Sequence, residues 1–400
     1  DQPGLRTGDV TLNANAPIVI MTTEIYRNQL FEDPERLKKT SWVVFDEVHY
    51  LDDPERGTVW EEAIMFSPEH VRFLALSATA PNIEELAEWI RSILNHPIEV
   101  IIESHRPVPL VPLFQCQGQI FTDPRLLKKQ GYMDRDSWGS GHGSENRFQH
   151  RRHSSRGNFQ IPLRAKPNRT DELIRHLVKE KRLPCLYFAF GRKRTEELAW
   201  EQERFDFLTP EEKIKVEALY AELCERFDLV KETSAIDMKR LVMKGIAFHH
   251  AGMLPTLKEV IEQLFTSKLI KLIFTTETFA IGINMPAKTV IFDELRKFYG
   301  TGFAFLRTRD YFQMAGRAGR RGMDAQGYVY SRLNPHYIPY SAVMRVIFGQ
   351  LEPIDSQFNS CYATLLNLYA QFGAKLIEIY PRSFHYFQSN RKGRLKGVAS

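Results

Sequence analysis

Short apolar runs alternate along this chain with stretches whose apolar residues recur at helical spacing. Trp42-Val43-Val44-Phe45 places four apolar residues in a row, the pattern of a strand buried on both faces in a parallel sheet covered by helices. It runs straight into Asp46-Glu47-Val48-His49. Upstream, Ala16-Pro17-Ile18-Val19-Ile20-Met21 reads as a strand, and Thr22-Thr23-Glu24 as the start of the next helix. Arg72-Phe73-Leu74-Ala75-Leu76 reads as a further strand ending at Ser77-Ala78-Thr79, and Pro81 to Ile90 carries apolar residues at helical spacing. A second set of strands follows at Leu183 to Phe190, Gly245 to His249, Lys271 to Thr275 and Thr289 to Phe292. Between them, Thr209 to Lys244 is charged and helical in pattern, opened by Thr209-Pro210-Glu211-Glu212. Gln357 to Phe372 has the spacing of an amphipathic helix, with Leu365, Leu366, Leu368 and Tyr369 as its packing face.

Strands alternating with helices imply an α/β fold with doubly wound parallel sheets. The reading is two such domains and a helical appendage. Residues 1–112 form the first, incomplete because its strands begin abruptly. Residues 113–168 form a linker, 169–334 the second domain and 335–400 the start of the appendage. Within the linker, the Gly/Ser-rich stretch around Ser137 to Ser144 precedes a segment, Arg147 to Arg169, with seven Lys or Arg and no acid. It reads as a flexible, solvated basic insertion.

A length of 400 residues with 43% hydrophobic and 26% charged positions excludes a disordered chain and allows two or three cores. No apolar run is long enough to span a bilayer, so no membrane partner is expected. The start, Asp1-Gln2-Pro3-Gly4, has no Met and no signal-peptide pattern, and reads as a cut end. Cys116, Cys185, Cys224 and Cys361 lack metal-ligand or redox spacing, which suggests reduced, mostly buried thiols in an intracellular protein. The net charge of +5 permits a nucleic-acid partner without establishing one.

Candidate chemistry sits at the strand ends. Ligands of open α/β sheets occupy the crevice outside the carboxyl ends of the strands. An Asp there can hold Mg²⁺ on a nucleoside triphosphate through water, and a neighbouring Glu can orient the attacking water. Taken alone, Asp46 and Glu47 read equally well as caps of the next helix. Gln313-Met314-Ala315-Gly316-Arg317-Ala318-Gly319-Arg320-Arg321-Gly322 is more specific. Its glycines let the backbone approach a ligand, and its arginines suit a bidentate grip on phosphate. Thr275 to Pro286 follows a strand and offers hydroxyls to a phosphate, though Thr276 serves equally as a helix cap. His249-His250 follow a strand and point to opposite faces, which argues against zinc.

Together these stretches resemble the superfamily-two DExH helicases, and within them the superkiller-type RNA helicases that serve the RNA exosome. The likeness rests on the Asp46-Glu47-Val48-His49 box, Ser77-Ala78-Thr79, His249 to Pro255, Phe279 to Thr289, and Gly316 to Asp324. Ser356-Gln357-Phe358 and Arg382-Ser383-Phe384 add to it. The resemblance implies two RecA-like domains, a helicase ATP-binding and a helicase C-terminal one, followed by the start of a winged-helix module. It implies ATP and Mg²⁺ as cofactors, with Asp46 on the metal through water, Glu47 beside it activating water, and Arg317 and Arg320 on the γ-phosphate. His49 and Gln313 would couple nucleotide to movement, Ser77 and Thr79 would link hydrolysis to strand separation, and Gly282 and Asn284 would line the domain junction. Thr7, Gly8, Thr22, Thr23, His250, Gly252 and Thr276 would meet the nucleic-acid backbone, with 3′-to-5′ movement on single-stranded RNA and DNA as the alternative. An exosome-type or other RNA-degradation complex is the implied partner, and the cytoplasm, or the nucleus, the implied compartment.

One departure stands out. No Gly-x-x-x-x-Gly-Lys-Ser/Thr segment occurs, so the loop that cradles β- and γ-phosphates is missing. The family places it before Thr7-Gly8, and the expectation is a chain that lacks the first part of its first domain and binds ATP weakly. A repair-type DNA helicase and a non-catalytic nucleic-acid-binding chain stay open as alternatives.

Overall fold

The computed structural model describes residues 2–8, 10–78, 80–94, 96–132, 166–277, 285–300, 302–358, 369, 373 and 379–398, with side chains up to 391. They form two compact units, one from residues 1–104 and 351–400, the other from 105–350. The α/β architecture expected from the alternation is present in both.

In the first unit, β1 (Gly4–Arg6) pairs antiparallel with β2 (Thr11–Leu12) and parallel with β3 (Val19–Met21). Helix α1 (Thr23–Glu32) follows, then β4 (Trp42–Phe45), α2 (Gly57–Met65), β5 (Arg72–Ala75) and α3 (Ile83–Leu94). β4 and β5 run parallel as a separate two-stranded sheet. α3 shows why the sequence is helical here: Leu86, Trp89, Ile90, Ile93 and Leu94 recur on one face and are all buried. They join Phe45, Val48, Leu51, Trp60 and Ile64 in one core. β4 departs from expectation. Phe45 is buried, but Trp42 is 56% and Val44 57% exposed, so only one face of this strand is covered.

The expected third module does not stand apart. Ile354, Phe358, Ile379 and Phe384 complete the first unit's core. The Trp89 indole donates to the Arg382 carbonyl at 2.8 Å, and the Arg382 guanidinium donates to the Met65 carbonyl at 2.9 Å. Glu61, fully buried on α2, accepts from the Ser356 hydroxyl and from the Phe384 amide, each at 2.6 Å. Its carboxylate thereby caps the N-terminus of the helix Phe384–Val398, where a negative charge is favoured. Burial still dominates and pushes the Glu61 carboxyl up to about 7. Gln357 and Phe358, at the head of the expected amphipathic helix, are not helical, and 359–368 with most of 370–378 lie outside the described residues.

The second unit opens with β6 (Leu110–Cys116) and β7 (Gln119–Phe121), where a linker was expected from 113. The unit boundary falls at Ser104/His105. Pro109 and Pro112 mask the strand in the sequence, because proline lacks the ladder donor. Pro112 pairs with β14 alone, at a point where β6 has no outer neighbour. Residues 133–165, most of the expected basic insertion, lie outside the described residues.

There follow α4 (Thr170–Lys179), β8 (Cys185–Phe188), α5 (Arg192–Glu201), α6 (Pro210–Arg226), α7 (Thr233–Val242), β9 (Ile246–His249), α8 (Pro255–Thr266) and β10 (Leu272–Thr275). Then come β11 (Thr289–Phe292), the hairpin β12 (Arg296–Phe298) and β13 (Phe303–Phe305), α9 (Thr308–Ala315), β14 (Gly327–Leu333) and α10 (Tyr340–Phe348). Thr209 and Glu212 form the reciprocal capping box that starts α6, with Pro210 in the first turn. The sheet order is β7-β6-β14-β11-β8-β10-β9, parallel throughout except at β7. Every residue of β8, β10 and β11 is buried, so both faces of this sheet are covered. Cys116, Cys185 and Cys224 are free and buried, as expected, while Cys361 lies outside the described residues.

Candidate motor and nucleic-acid site

The parallel strands of the first unit deliver its motifs at their carboxyl ends. Thr7-Gly8 follows β1, Thr22-Thr23 follows β3, Asp46-Glu47 follows β4 and Ser77-Ala78 follows β5. Leu76 donates its amide to Phe45 and Val48 donates to Leu76, each at 2.8 Å, which carries the β4–β5 ladder into the motifs. Glu47 sits in the left-handed region, with φ of 60°. Non-glycine residues rarely hold that conformation, and functional sites are where such strain collects. Glu47 precedes a short 3₁₀ turn, Val48–Asp52, without a side-chain capping bond to it. The cap reading of Glu47 therefore loses its support.

His49 is 5% exposed and stacks on Tyr50, with ring centroids 5.0 Å apart. Its Nδ1 accepts the Ala78 amide at 3.3 Å, joining the acidic box to the Ser77-Ala78-Thr79 stretch. Glu47 lies 3.3 Å from the same nitrogen. The two contacts compete for one nitrogen, which accepts the Ala78 amide when it carries no proton and donates to Glu47 when it does. The Ser77 hydroxyl donates to the Ala78 carbonyl at 2.8 Å, and Thr79 lies outside the described residues. Thr22 caps α1 by accepting from Ile25, and Thr7 accepts the Val10 amide at 3.1 Å. Both hydroxyls thus hold local turns at the strand ends. Gly8 has open space where a Cβ would stand.

In the second unit, His249 closes β9 and Thr275 closes β10, placing His250 and Thr276 at the carboxyl edge. The His250 Nδ1 accepts the Gly252 amide at 3.1 Å, so its Nε2 donates to Glu196 on α5, 2.8 Å away. The His249 Nε2 meets Glu262 on α8 at 2.8 Å, and burial pushes its imidazole down to about 4. The two rings go to different helices, as their alternation along a strand requires. Among the described residues, no three His, Cys, Asp or Glu gather to hold a metal. A Cβ on Gly252 would come within 3.1 Å of the Arg192 side chain and 3.2 Å of the His250 ring, so glycine keeps this loop close. Gly282 and Asn284 lie outside the described residues.

The Gly-Arg loop stands at the other, amino-terminal edge of the same sheet. α9 carries Gln313 and runs into Gly316. Ala287, just ahead of β11, donates to the Arg317 carbonyl at 2.9 Å and accepts from the Gly319 amide at 2.7 Å. Gly319 has φ of 84°, and a Cβ there would meet Val108 Cγ1 at 2.5 Å. Arg106 donates to the Gly316 and Ala318 carbonyls at 2.9 and 2.8 Å, clamping the loop. Sequence reading missed Arg106, because its partners lie more than two hundred residues away. Arg317 is half-buried. Arg320 makes a fork-like pair with Asp324 at 2.7 and 2.9 Å, and its amide donates to the same carboxylate. The acids thus belong to one unit and the arginines to the other.

Each unit thus carries its own set of candidate groups: acids and hydroxyls at strand ends in the first, a clamped Gly-Arg loop and a hydroxyl–histidine edge in the second. The DEAD/DEAH box helicase family matches residues 6–86, and the helicase conserved C-terminal domain matches residues 220–322. The chain is similar to mRNA transport homolog 4 of Caenorhabditis elegans, with 37% identity over 97% of this chain and 38% of that protein. It is similar to the human exosome RNA helicase MTR4, with 36% identity over 97% of this chain and 37% of that one. It is also similar to the human superkiller complex protein 2, with 36% identity over 98% and 32%. The chain carries a DEAD/DEAH box helicase domain and a helicase C-terminal domain, and its homologues are DExH RNA helicases of the MTR4 and superkiller type. It spans well under half the length of these relatives.

Proposed function

We propose that this protein is an ATP-dependent RNA helicase or translocase, moving 3′ to 5′ on single-stranded RNA in RNA processing or degradation. The observation that carries the reading is the Asp46-Glu47 pair at the end of β4, tied through His49 to Ala78 at the end of β5. Such a joint lets the nucleotide box and its neighbour move together. The names of the relatives favour RNA over DNA, and neither the DNA-helicase nor the non-catalytic reading gains support from them.

Asp46 and Glu47 offer carboxylate oxygen, the donor type a hard cation prefers. Asp46 would hold Mg²⁺–ATP through water, with Glu47 nearby. The metal would supply charge neutralisation at the phosphates. Glu47, fixed by its left-handed backbone, orients and deprotonates the attacking water. Arg317 and Arg320 would stabilise charge on the γ-phosphate. His49 and Gln313 report nucleotide state, and Ser77 and Thr79 relay it. Thr7, Gly8, Thr22, Thr23, His250, Gly252 and Thr276 meet phosphate and sugar, which gives little sequence preference. An exosome-type or other RNA-degradation complex is the partner that fits the relatives' names, in the cytoplasm or nucleus.

Glu47→Gln in the intact protein tests the reading. RNA-stimulated ATP hydrolysis is expected to fall by about 10²–10⁴-fold while ATP and RNA still bind. Loss of ATP binding instead would make Glu47 a structural residue and remove the chemistry assigned to it.

A further inference from the structure

Lys297, on the first strand of the hairpin β12–β13, stands where three elements meet. Its side chain is 15% exposed, and its ammonium lies 2.7 Å from the Glu277 carboxylate and 3.3 Å from that of Asp310. Glu277 directly follows Thr276 at the carboxyl end of β10. Asp310 lies in the first turn of α9, three residues before Gln313. The Tyr299 hydroxyl donates to Asp310 at 2.6 Å and accepts the Arg307 amide at 3.1 Å. The Lys297 ammonium also sits 4.4 Å from the Tyr299 ring centroid, a cation–π distance.

The placement matters because α9 is a short, stiff rod. It rises about 9 Å from Asp310, near the carboxyl edge, to Gly316 at the start of the Gly-Arg loop on the amino edge. Whatever fixes Asp310 therefore fixes Gln313 and the approach to Arg317. One ammonium shared by two half-buried carboxylates also cancels their mutual repulsion. Without it, Glu277 and Asp310 face one another as like charges, and the strand end and helix are pushed apart.

We propose that Lys297 is a positioning residue that couples the β10 strand end, where nucleic acid is read by Thr276, to α9 and the nucleotide-facing residues it carries. The inference rests on the RNA-dependent ATPase reading above. It adds a residue that the sequence motifs do not contain.

The test compares the intact protein with Lys297→Met and Lys297→Arg, using ATP hydrolysis with and without a single-stranded poly-uridine RNA. Lys297→Met is expected to lower the RNA-stimulated kcat about tenfold and the RNA-free rate by much less, with the KM for ATP unchanged. Lys297→Arg is expected to restore the stimulation, because it keeps the charge between the two acids. Glu277→Gln added to Lys297→Met is expected to recover part of it, since one of the two repelling charges is gone. Unchanged stimulation in Lys297→Met overturns the proposal, and so does a parallel loss of stimulated and unstimulated rates. Absence of any RNA stimulation in the unsubstituted protein overturns the functional reading itself, which separates the two failures.

Discussion

Two quartets, Trp42-Val43-Val44-Phe45 in the first unit and Leu272-Ile273-Phe274-Thr275 in the second, form the same element in different surroundings. Each is a four-residue strand in a parallel ladder. All of the second is buried, whereas Trp42 and Val44 in the first are more than half exposed. β10 has β8 on one side and β9 on the other, while β4 has only β5. An apolar run thus encodes a strand through side-chain pattern, but coverage of its faces depends on what packs against it. The carboxyl-end chemistry is independent of that difference: Asp46 and Thr276 both stand where a parallel strand ends.

The largest effect that sharpens this contrast is Phe274→Ala against Val44→Ala, read by chemical denaturation. The first is expected to cost about 3–5 kcal/mol, as for a fully enclosed aromatic, and the second less than about 0.5 kcal/mol. An equal loss at Val44 would erase the contrast.

A second effect lies on the covered side of the first unit, at Glu61. Its carboxyl is raised from 4.5 to about 7 by burial, against the lowering pull of Ser356 and the His385 and Phe384 amides. The folded state therefore holds a proton that the unfolded state has released between those values. Stability from this group is complete below pH 4.5 and is lost as pH rises through about 7. Unfolding free energies measured by chemical denaturation from pH 4 to 8 are expected to show that decline relative to Glu61→Gln, by about 3 kcal/mol at most. Parallel profiles would show that Glu61 does not titrate in this window.

The smallest effect compares glycines. Gly319→Ala is expected to cost about 1–3 kcal/mol, from its left-handed backbone and the Val108 contact. Gly8→Ala, with nothing within 4 Å, is expected to change stability by less than about 0.5 kcal/mol. Similar values at both positions would mean that the Gly-Arg loop relaxes around a Cβ.

Much of this was legible in the sequence because the signals were local. The capping box at Thr209, the face Leu86-Trp89-Ile90-Ile93-Leu94, and the acids directly after a β-prone run all involve residues within a few positions of one another. What escaped was non-local. β6 was hidden by prolines that are tolerated only because of where its neighbours end. The return of the C-terminal residues to the first unit depends on Glu61 meeting Phe384, 323 positions away. Arg106 and Lys297 have no motif around them, and their partners come from segments that only the fold gathers. Local patterning specifies elements and strand-end chemistry, and long-range pairing decides which elements share a unit.

The Arg320–Asp324 fork has a further consequence. The Asp324 carboxylate occupies only part of this guanidinium, so an incoming ligand meets a cation whose charge is already partly balanced. A monoanion offers no advantage over the resident partner, whereas a polyphosphate brings several negative oxygens at once. At Arg320 the loop thereby favours ligands of high charge density over small anions.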